Sequence, residues 1–252
     1  MNELFYEPKN GYDRISEQDA AEMERYCKDY MAFLDAAKME REAVTETVRA
    51  AEKVGYRPFT PGMELKPGDK VYSNNRGKSV MFAVIGKQDL SHGAHIAAAH
   101  IDSPRLDLKP NPLYEDGEIA LLKTHYYGGI KKYQWTTLQM ALHGVVSLKD
   151  GTFKTVSIGE DADDPIFYVT DLLIHLAGDQ MKKSLAEGVA AEQLNVVVGS
   201  TPDCDGDDKR VKRAVLKLLN AKYGMTEEDF LSAELTMVPA LKAREVGLDR
   251  SM

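Results

Sequence analysis

His100 and Asp102 are the residues whose types and spacing most clearly allow chemistry. Because they are two positions apart, their side chains point to the same face of an extended segment. A histidine that binds a divalent metal commonly donates its other ring N–H to a carboxylate, which fixes the tautomer and the ring angle. The pair could act in this way, but the spacing His-x-Asp is common. From the spacing by itself, a hydrogen-bonded histidine at the end of a strand is the simpler interpretation.

An almost wholly apolar run, residues 94–101, leads into this pair and predicts a buried strand. Pro104 closes the run, so the strand would deliver His100 and Asp102 at its carboxyl end, where open α/β sheets place their chemistry. His95 lies five residues before His100 and falls on the opposite face of the strand. The pair to consider is therefore His100 with Asp102.

The rest of the sequence predicts helices and, after Pro104, an antiparallel block rich in strands. Ser16 can cap the first helix, and Gly55 is a typical end for the second. Thr226 with Asp229 three residues later predicts a short capped helix. The predicted helices cover residues 17–35, 38–54, 168–186 and 208–223. The predicted strands cover residues 70–73, 79–85, 119–127, 134–148, 153–158, 194–198 and 235–239.

The composition favours a soluble protein of the cytoplasm. The chain has 252 residues, 43% of them hydrophobic, and a formal net charge of −8. This acidic balance argues against nucleic acid or an anionic membrane as the main partner. Two distant cysteines, Cys27 and Cys204, favour a reducing compartment. The amino terminus, which begins Met1-Asn2-Glu3, predicts no secretory signal, and no stretch approaches the roughly 18 apolar residues of a membrane helix.

Other polar groups are predicted to be structural or solvated. His125 and His143 lie in or beside strands and are interpreted as structural or surface residues. Two acidic clusters, residues 161–164 and 203–208, are interpreted as solvated loops. The second cluster alternates carboxylates around a glycine, but no glutamate stands at the last position of a calcium-binding loop.

Four segments, in order, resemble the aspartyl aminopeptidase and vacuolar aminopeptidase I family of zinc exopeptidases. Residues 99–106, Ala-His-Ile-Asp-Ser-Pro-Arg-Leu, resemble the first metal motif of that family. Residues 127–130, Tyr-Gly-Gly-Ile, are similar to its glycine-rich segment, and residues 172–176, Leu-Leu-Ile-His-Leu, to a later histidine segment. Residues 238–249 resemble the run that leads back into its catalytic domain.

The resemblance implies an α/β fold. A zinc-exopeptidase-like three-layer α/β/α domain, incomplete in this sequence, would carry an inserted β-rich domain. Residues 1–106 would form the first part of the catalytic domain and residues 107–232 the inserted oligomerisation domain. Residues 233–252 would return into the catalytic domain.

The resemblance also implies a metal-dependent aminopeptidase that removes N-terminal residues from peptides. Two zinc (Zn) ions would activate a water for attack on the scissile carbonyl, with a glutamate as general base. By position, His100 would bind one metal and Asp102 would orient its imidazole. His175 would reach the active site of a neighbouring subunit in a homo-oligomer, a dodecamer in the family. From the sequence alone, a buried, hydrogen-bonded histidine is the better explanation of His175, and only the resemblance makes the catalytic role an equal alternative.

The sequence departs from the family pattern after residue 249. The chain ends at Met252, before any counterpart of the bridging aspartate, and it contains no match for the glutamate pair that supplies the base and a ligand. One histidine and one aspartate cannot hold two metals. We therefore expect the N-terminal portion of a longer enzyme, inactive by itself. A non-catalytic assembly module and an unrelated mononuclear metal-binding protein remain the alternatives.

Overall fold

The computed structural model describes residues 4–252. The first three residues of the amino terminus, which the sequence predicts to lack a secretory signal, lie outside this range. The helices are α1 (Glu17–Ala36), α2 (Glu40–Lys53) and α3 (Arg210–Tyr223). The strands are β1 (Arg57–Pro58), β2 (Lys70–Asn75), β3 (Ser79–Val84), β4 (Arg105–Asp116), β5 (Ile119–Tyr127), β6 (Met140–Ser147), β7 (Phe153–Ile158), β8 (Tyr168–Val169), β9 (Val196–Gly199) and β10 (Ala233–Pro239).

The helix ends follow their capping residues. Ser16 precedes α1, its side chain accepts a hydrogen bond from the Asp19 N–H, and the Asp19 carboxylate accepts one from the Ser16 N–H. Gly55 has a φ of +93° just beyond α2 and turns the chain away from the helix, as predicted. No helix among residues 4–252 is long and apolar enough to span a bilayer.

Two sheets carry the strands. The smaller has the order β1-β2-β3, with β1 parallel to β2 and β2 antiparallel to β3. The larger has the order β7-β6-β10-β4-β5-β9-β8, and its neighbouring strands pair antiparallel. Helix α3 packs on β4, β5 and β9. The main core lies between this helix and the large sheet, and its fully buried members include Leu106, Met140, Leu194, Val196, Val211, Met225 and Met237.

The expectation of a mixed α/β fold is confirmed. The three-layer domain stays a prediction. Among the named strands of residues 4–252, the pair that runs parallel is β1 with β2. The division at residues 106 and 232 also stays a prediction. Strand β10, which follows the second division, is hydrogen-bonded between β6 and β4 of the large sheet.

The predicted buried strand at 94–101 is wrong. Residues 93–104 form no strand, residues 93–100 are all exposed, and Ile96 retains 86% of its accessible surface. A strand needs a neighbour for its backbone N–H and C=O groups, and no described strand pairs with this segment. The run is apolar in composition, but among residues 4–252 no strand pairs with it.

The predicted helix at 168–186 is also wrong. Residues 168–169 form β8, and isolated turns follow, such as the bond from the Leu176 N–H to the Leu173 carbonyl. A short helix depends on packing an apolar face, and here Leu172, Leu173 and Ile174 are exposed. The predicted strand at 134–148 forms only as β6, because residues 132–135 make a short 3-10 turn.

Candidate functional site

The chain segment before β4 brings His100 and Asp102 together, as predicted. The His100 Nδ1 atom lies 3.1 Å from Asp102 Oδ1 and 3.0 Å from the Asp102 carbonyl oxygen. Both oxygens accept hydrogen bonds, so the Nδ1 atom carries the proton. In the neutral imidazole the Nε2 atom then keeps its lone pair, and the side chain is 83% exposed. This is the tautomer of a histidine that binds a metal through Nε2.

Asp102 is held by a second partner, which was not predicted from the sequence. The Tyr127 hydroxyl donates a hydrogen bond of 2.7 Å to Asp102 Oδ2. Tyr127 is the last residue of β5, and it lies beside Asp102 because β5 pairs with β4 in the register Arg105 to Tyr127. The signal that could have found it is a polar aromatic residue at the end of the strand that folds back on β4.

The charges around this group favour an ionised Asp102. The hydrogen bond from the Tyr127 hydroxyl is the main cause that holds the pKa of the Asp102 carboxyl below its usual range, and His100 contributes in the same direction. The same bond raises the pKa of the Tyr127 hydroxyl, because it stabilises the protonated form. Asp102 is therefore an acceptor toward both neighbours.

Arg105 contacts Tyr127 and links it to helix α2. Its guanidinium carbon lies 4.1 Å from the centre of the Tyr127 ring, a cation–π distance. The same guanidinium pairs with Glu40 of α2 at 2.8 Å and with Asp107 of β4 at 2.7 Å, and its side chain is only 12% exposed. Helix α2 is thus tied to the strand that begins just after the candidate site.

His175 lies elsewhere on the sheet. It follows β8, which is three strand positions from β4 in the large sheet, and its side chain is exposed. The interpretation as a buried histidine is therefore wrong. The structure brings His100 and Asp102 together within one chain, and it does not join His175 to them by a hydrogen bond or ion pair among the described residues. The role of His175 stays a prediction.

His143 is buried in a charged cluster. Its Nδ1 atom donates to Glu42 of α2 at 2.6 Å and its Nε2 atom to Glu160 at 2.9 Å. The Lys38 ammonium donates to the same Glu160 oxygen at 2.7 Å and to the Pro239 carbonyl at 2.9 Å. The structural interpretation of His143 is confirmed. Its partners were not predicted, because Glu42 is 101 residues away along the chain.

One lysine pairs with two carboxylates of the acidic loop at 203–208. Ligand atoms of Asp203, Cys204 and Asp205 lie within 4.8 Å of one another. The Lys217 ammonium lies 2.6 Å from Asp203 Oδ2 and 3.0 Å from Asp205 Oδ2. The Lys217 ammonium lies where a metal ion would have to bind these two carboxylates. The arrangement therefore favours an ion pair over a metal site.

His100 and Asp102 fit one part of a metal centre. His100 offers one imidazole nitrogen, and Asp102 orients that imidazole. A protein zinc site needs three or four ligands, and no further histidine, cysteine or carboxylate joins His100 in a group of three among residues 4–252. The described chain can therefore supply one of the ligands that such a site needs.

Comparison with known proteins gives the family. The family model described as "Aminopeptidase I zinc metalloprotease (M18)" matches residues 33–252. A probable M18 family aminopeptidase 1 of Clostridium acetobutylicum is 51% identical over 256 aligned positions, which cover 100% of this chain and 55% of the relative. A Thermotoga maritima relative of the same description is 45% identical, over 92% of this chain and 51% of its own.

Solved structures agree with this match. The crystal structure of an M18 family aminopeptidase from Thermotoga maritima superposes with a TM-score of 0.91 at 43% identity, covering 98% of this chain and 54% of that one. The S. cerevisiae mApe1 dodecamer has a TM-score of 0.65 at 15% identity, covering 91% and 51%, and it supports the fold alone. The chain spans about half the length of the curated relatives it matches. On these matches, the chain belongs to the M18 aminopeptidase I family of zinc metalloproteases.

Proposed function

We propose that this chain supplies the His100 side of the two-metal site of an aminopeptidase that removes N-terminal residues from peptides. The observation that carries the proposal is the His100–Asp102 pair, in which the Nδ1 atom is bound by the carboxylate and the Nε2 atom is free. His100 would donate the Nε2 lone pair to one metal, and Asp102 would fix the ring. When bound, the metals lower the pKa of a water so that it can attack a carbonyl.

The relatives are about twice as long as this chain. The remaining ligands and the general base would come from the half of their fold that this chain does not match. The exposed apolar segment 94–101 is where that part would add strands, completing the three-layer domain. His175 would serve substrate binding in a neighbouring subunit of a homo-oligomer. The free, exposed cysteines of the described chain suit a cytoplasmic location, which cell fractionation would test.

The test of this function is fragment complementation. We expect the chain with zinc or cobalt to leave an aminoacyl-coumarin substrate uncleaved. Mixing it with a polypeptide covering the remaining half of the Clostridium acetobutylicum relative should restore hydrolysis. His100→Ala should abolish that hydrolysis, whereas His92→Ala, a change at another exposed histidine, should not. Equal hydrolysis by the His100→Ala mixture would refute the role of His100.

A second function, a non-catalytic assembly module, is favoured by the apolar segment after β8. Six large apolar side chains there are more than half exposed: Leu172, Leu173, Ile174, Leu176, Met181 and Leu185. Contiguous exposed apolar residues commonly mark an interface. Size-exclusion chromatography with light scattering would test it. Assembly by the chain, lost in Leu173→Asp and kept in the exposed control Leu90→Asp, would support this module, and a monomer would argue against it.

A further inference from the structure

Both oxygens of the Asp102 carboxylate are engaged. Oδ1 accepts from His100 Nδ1 at 3.1 Å, and Oδ2 accepts from the Tyr127 hydroxyl at 2.7 Å. A carboxylate held at one oxygen can rotate about its last side-chain bond. With a donor on each oxygen, rotation of the group would break one of the two bonds, so its plane is fixed relative to the imidazole.

Tyr127 is itself held in place. Its backbone pairs with Arg105 in the β4–β5 ladder, and the Arg105 guanidinium lies over its ring at 4.1 Å. Gly128 follows with a φ of +79°, and an added Cβ there would lie 3.6 Å from Pro104. The turn after Tyr127 therefore packs on the segment that carries Asp102, which keeps the hydroxyl within reach of the carboxylate.

The geometry points to Tyr127 as a positioning residue that sets the tautomer and ring orientation of His100 through Asp102. Its value for catalysis rests on the proposed function, in which His100 Nε2 binds a metal. The Tyr127 hydroxyl donates to the Asp102 carboxylate, and that carboxylate accepts the Nδ1 proton of His100, which the Asp102 carbonyl oxygen at 3.0 Å also accepts. In the neutral ring this leaves the lone pair at Nε2. Arg105 acts one step earlier, because its guanidinium holds the Tyr127 ring. Glu40 in turn holds that guanidinium.

A purely structural role for Tyr127 makes a different prediction. If the hydroxyl only fastened residues 102–104 to β5, its loss would loosen the backbone without a specific effect on one imidazole. The tautomer of His100 is therefore the decisive observable. It can be read from the side-chain nitrogen shifts of the chain labelled with ¹⁵N-histidine, which has six histidines. The His100→Gln variant assigns the resonance.

The experiment compares five chains at about pH 8, where imidazoles in general are neutral. In the wild type we expect the Nδ1–H tautomer of His100 to predominate. Tyr127→Phe should shift the population several-fold toward the Nε2–H form. Tyr126→Phe, the matched control at the preceding residue, should leave it unchanged. Asp102→Asn should release the tautomer, and Tyr127→Phe added to Asp102→Asn should have no additional effect.

The inference is overturned if Tyr127→Phe keeps the backbone spectrum and the wild-type tautomer, or if it acts equally in the Asp102→Asn background. If Tyr127→Phe failed to fold, the Asp102→Asn variant would decide, since an unchanged tautomer there also overturns the inference. Zinc titration of the same samples, each mixed with the polypeptide for the remaining half of the Clostridium acetobutylicum relative, separates the two claims. A tautomer shift without any zinc effect on the Nε2 resonance would keep the positioning role and refute metal binding by His100. With metal binding intact, Tyr127→Phe should weaken zinc affinity by about 10- to 100-fold.

Discussion

The buried His143 cluster should stabilise the protein mainly as a cation. Both ring nitrogens donate to carboxylates, Glu42 and Glu160, so the arrangement requires an imidazolium. Burial lowers the pKa of the His143 imidazole, but the hydrogen bonds and charges of the two glutamates outweigh it. The pKa is therefore raised above its ordinary value of 6.5. Stability from this group is fully present below pH 6.5 and is lost as the pH rises through the raised pKa.

The magnitude follows from the two charge-assisted hydrogen bonds, each of about 1.5–3 kcal/mol. The glutamate side chains are 25% and 22% exposed, so water recovers part of the loss, and Lys38 remains as a partner of Glu160. His143→Gln keeps one neutral donor. We expect it to lower the free energy of unfolding by about 2 kcal/mol near pH 6 and by less than about 1 kcal/mol near pH 9.

The assay is urea unfolding at several pH values, followed by fluorescence of the single tryptophan, Trp135, which is 8% exposed. His125→Gln is the matched control, because His125 lies exposed in β5 of the same sheet. It should change the free energy by less than about 0.5 kcal/mol at every pH. A His143→Gln effect that is constant between pH 6 and 9, or that grows with pH, would refute the cationic cluster.

Three other changes have defined outcomes. In the same urea assay, Gly144→Ala should lower the free energy of unfolding by about 3 kcal/mol or more, because its Cβ would lie 1.9 Å from a backbone carbonyl of β10. Gly151→Ala is the control with open space around it, and it should lower the free energy of unfolding by only about 1–2 kcal/mol. Leu106→Ala should lower the free energy of unfolding by about 2–5 kcal/mol, since Leu106 is fully buried in the main core. Added Ca²⁺ should not raise the melting temperature, because Lys217 already neutralises Asp203; a rise of several degrees would show a calcium site.

Local signals predicted the elements that local contacts form. Strand β5 and strand β7 have the predicted bounds, residues 119–127 and 153–158, because alternating side chains and a turn define each hairpin. Helix α3 follows its 3.6-residue periodicity. The pair His100 and Asp102 was predictable for the same reason, since its spacing of two residues lies within one segment.

Distant contacts were not predictable in this way. The Tyr127–Asp102 bond depends on the register of β4 against β5, and the His143 cluster joins residues more than 100 positions apart. The run 94–101 shows the converse case. Its composition predicts a strand, but strand formation depends on a neighbour, and among residues 4–252 no strand pairs with it. Periodicity reports the preference of a segment, whereas pairing is a property of the whole fold.

The central claim is that this chain holds one side of a two-metal site, through His100. The most direct test is the zinc content of the chain mixed with the polypeptide for the remaining half of the Clostridium acetobutylicum relative, measured by elemental analysis after equilibrium dialysis. The account predicts two zinc ions per assembled pair with the wild-type chain, fewer with His100→Ala, and two with His92→Ala. A zinc content unchanged by His100→Ala, or reduced equally by His92→Ala, would contradict it.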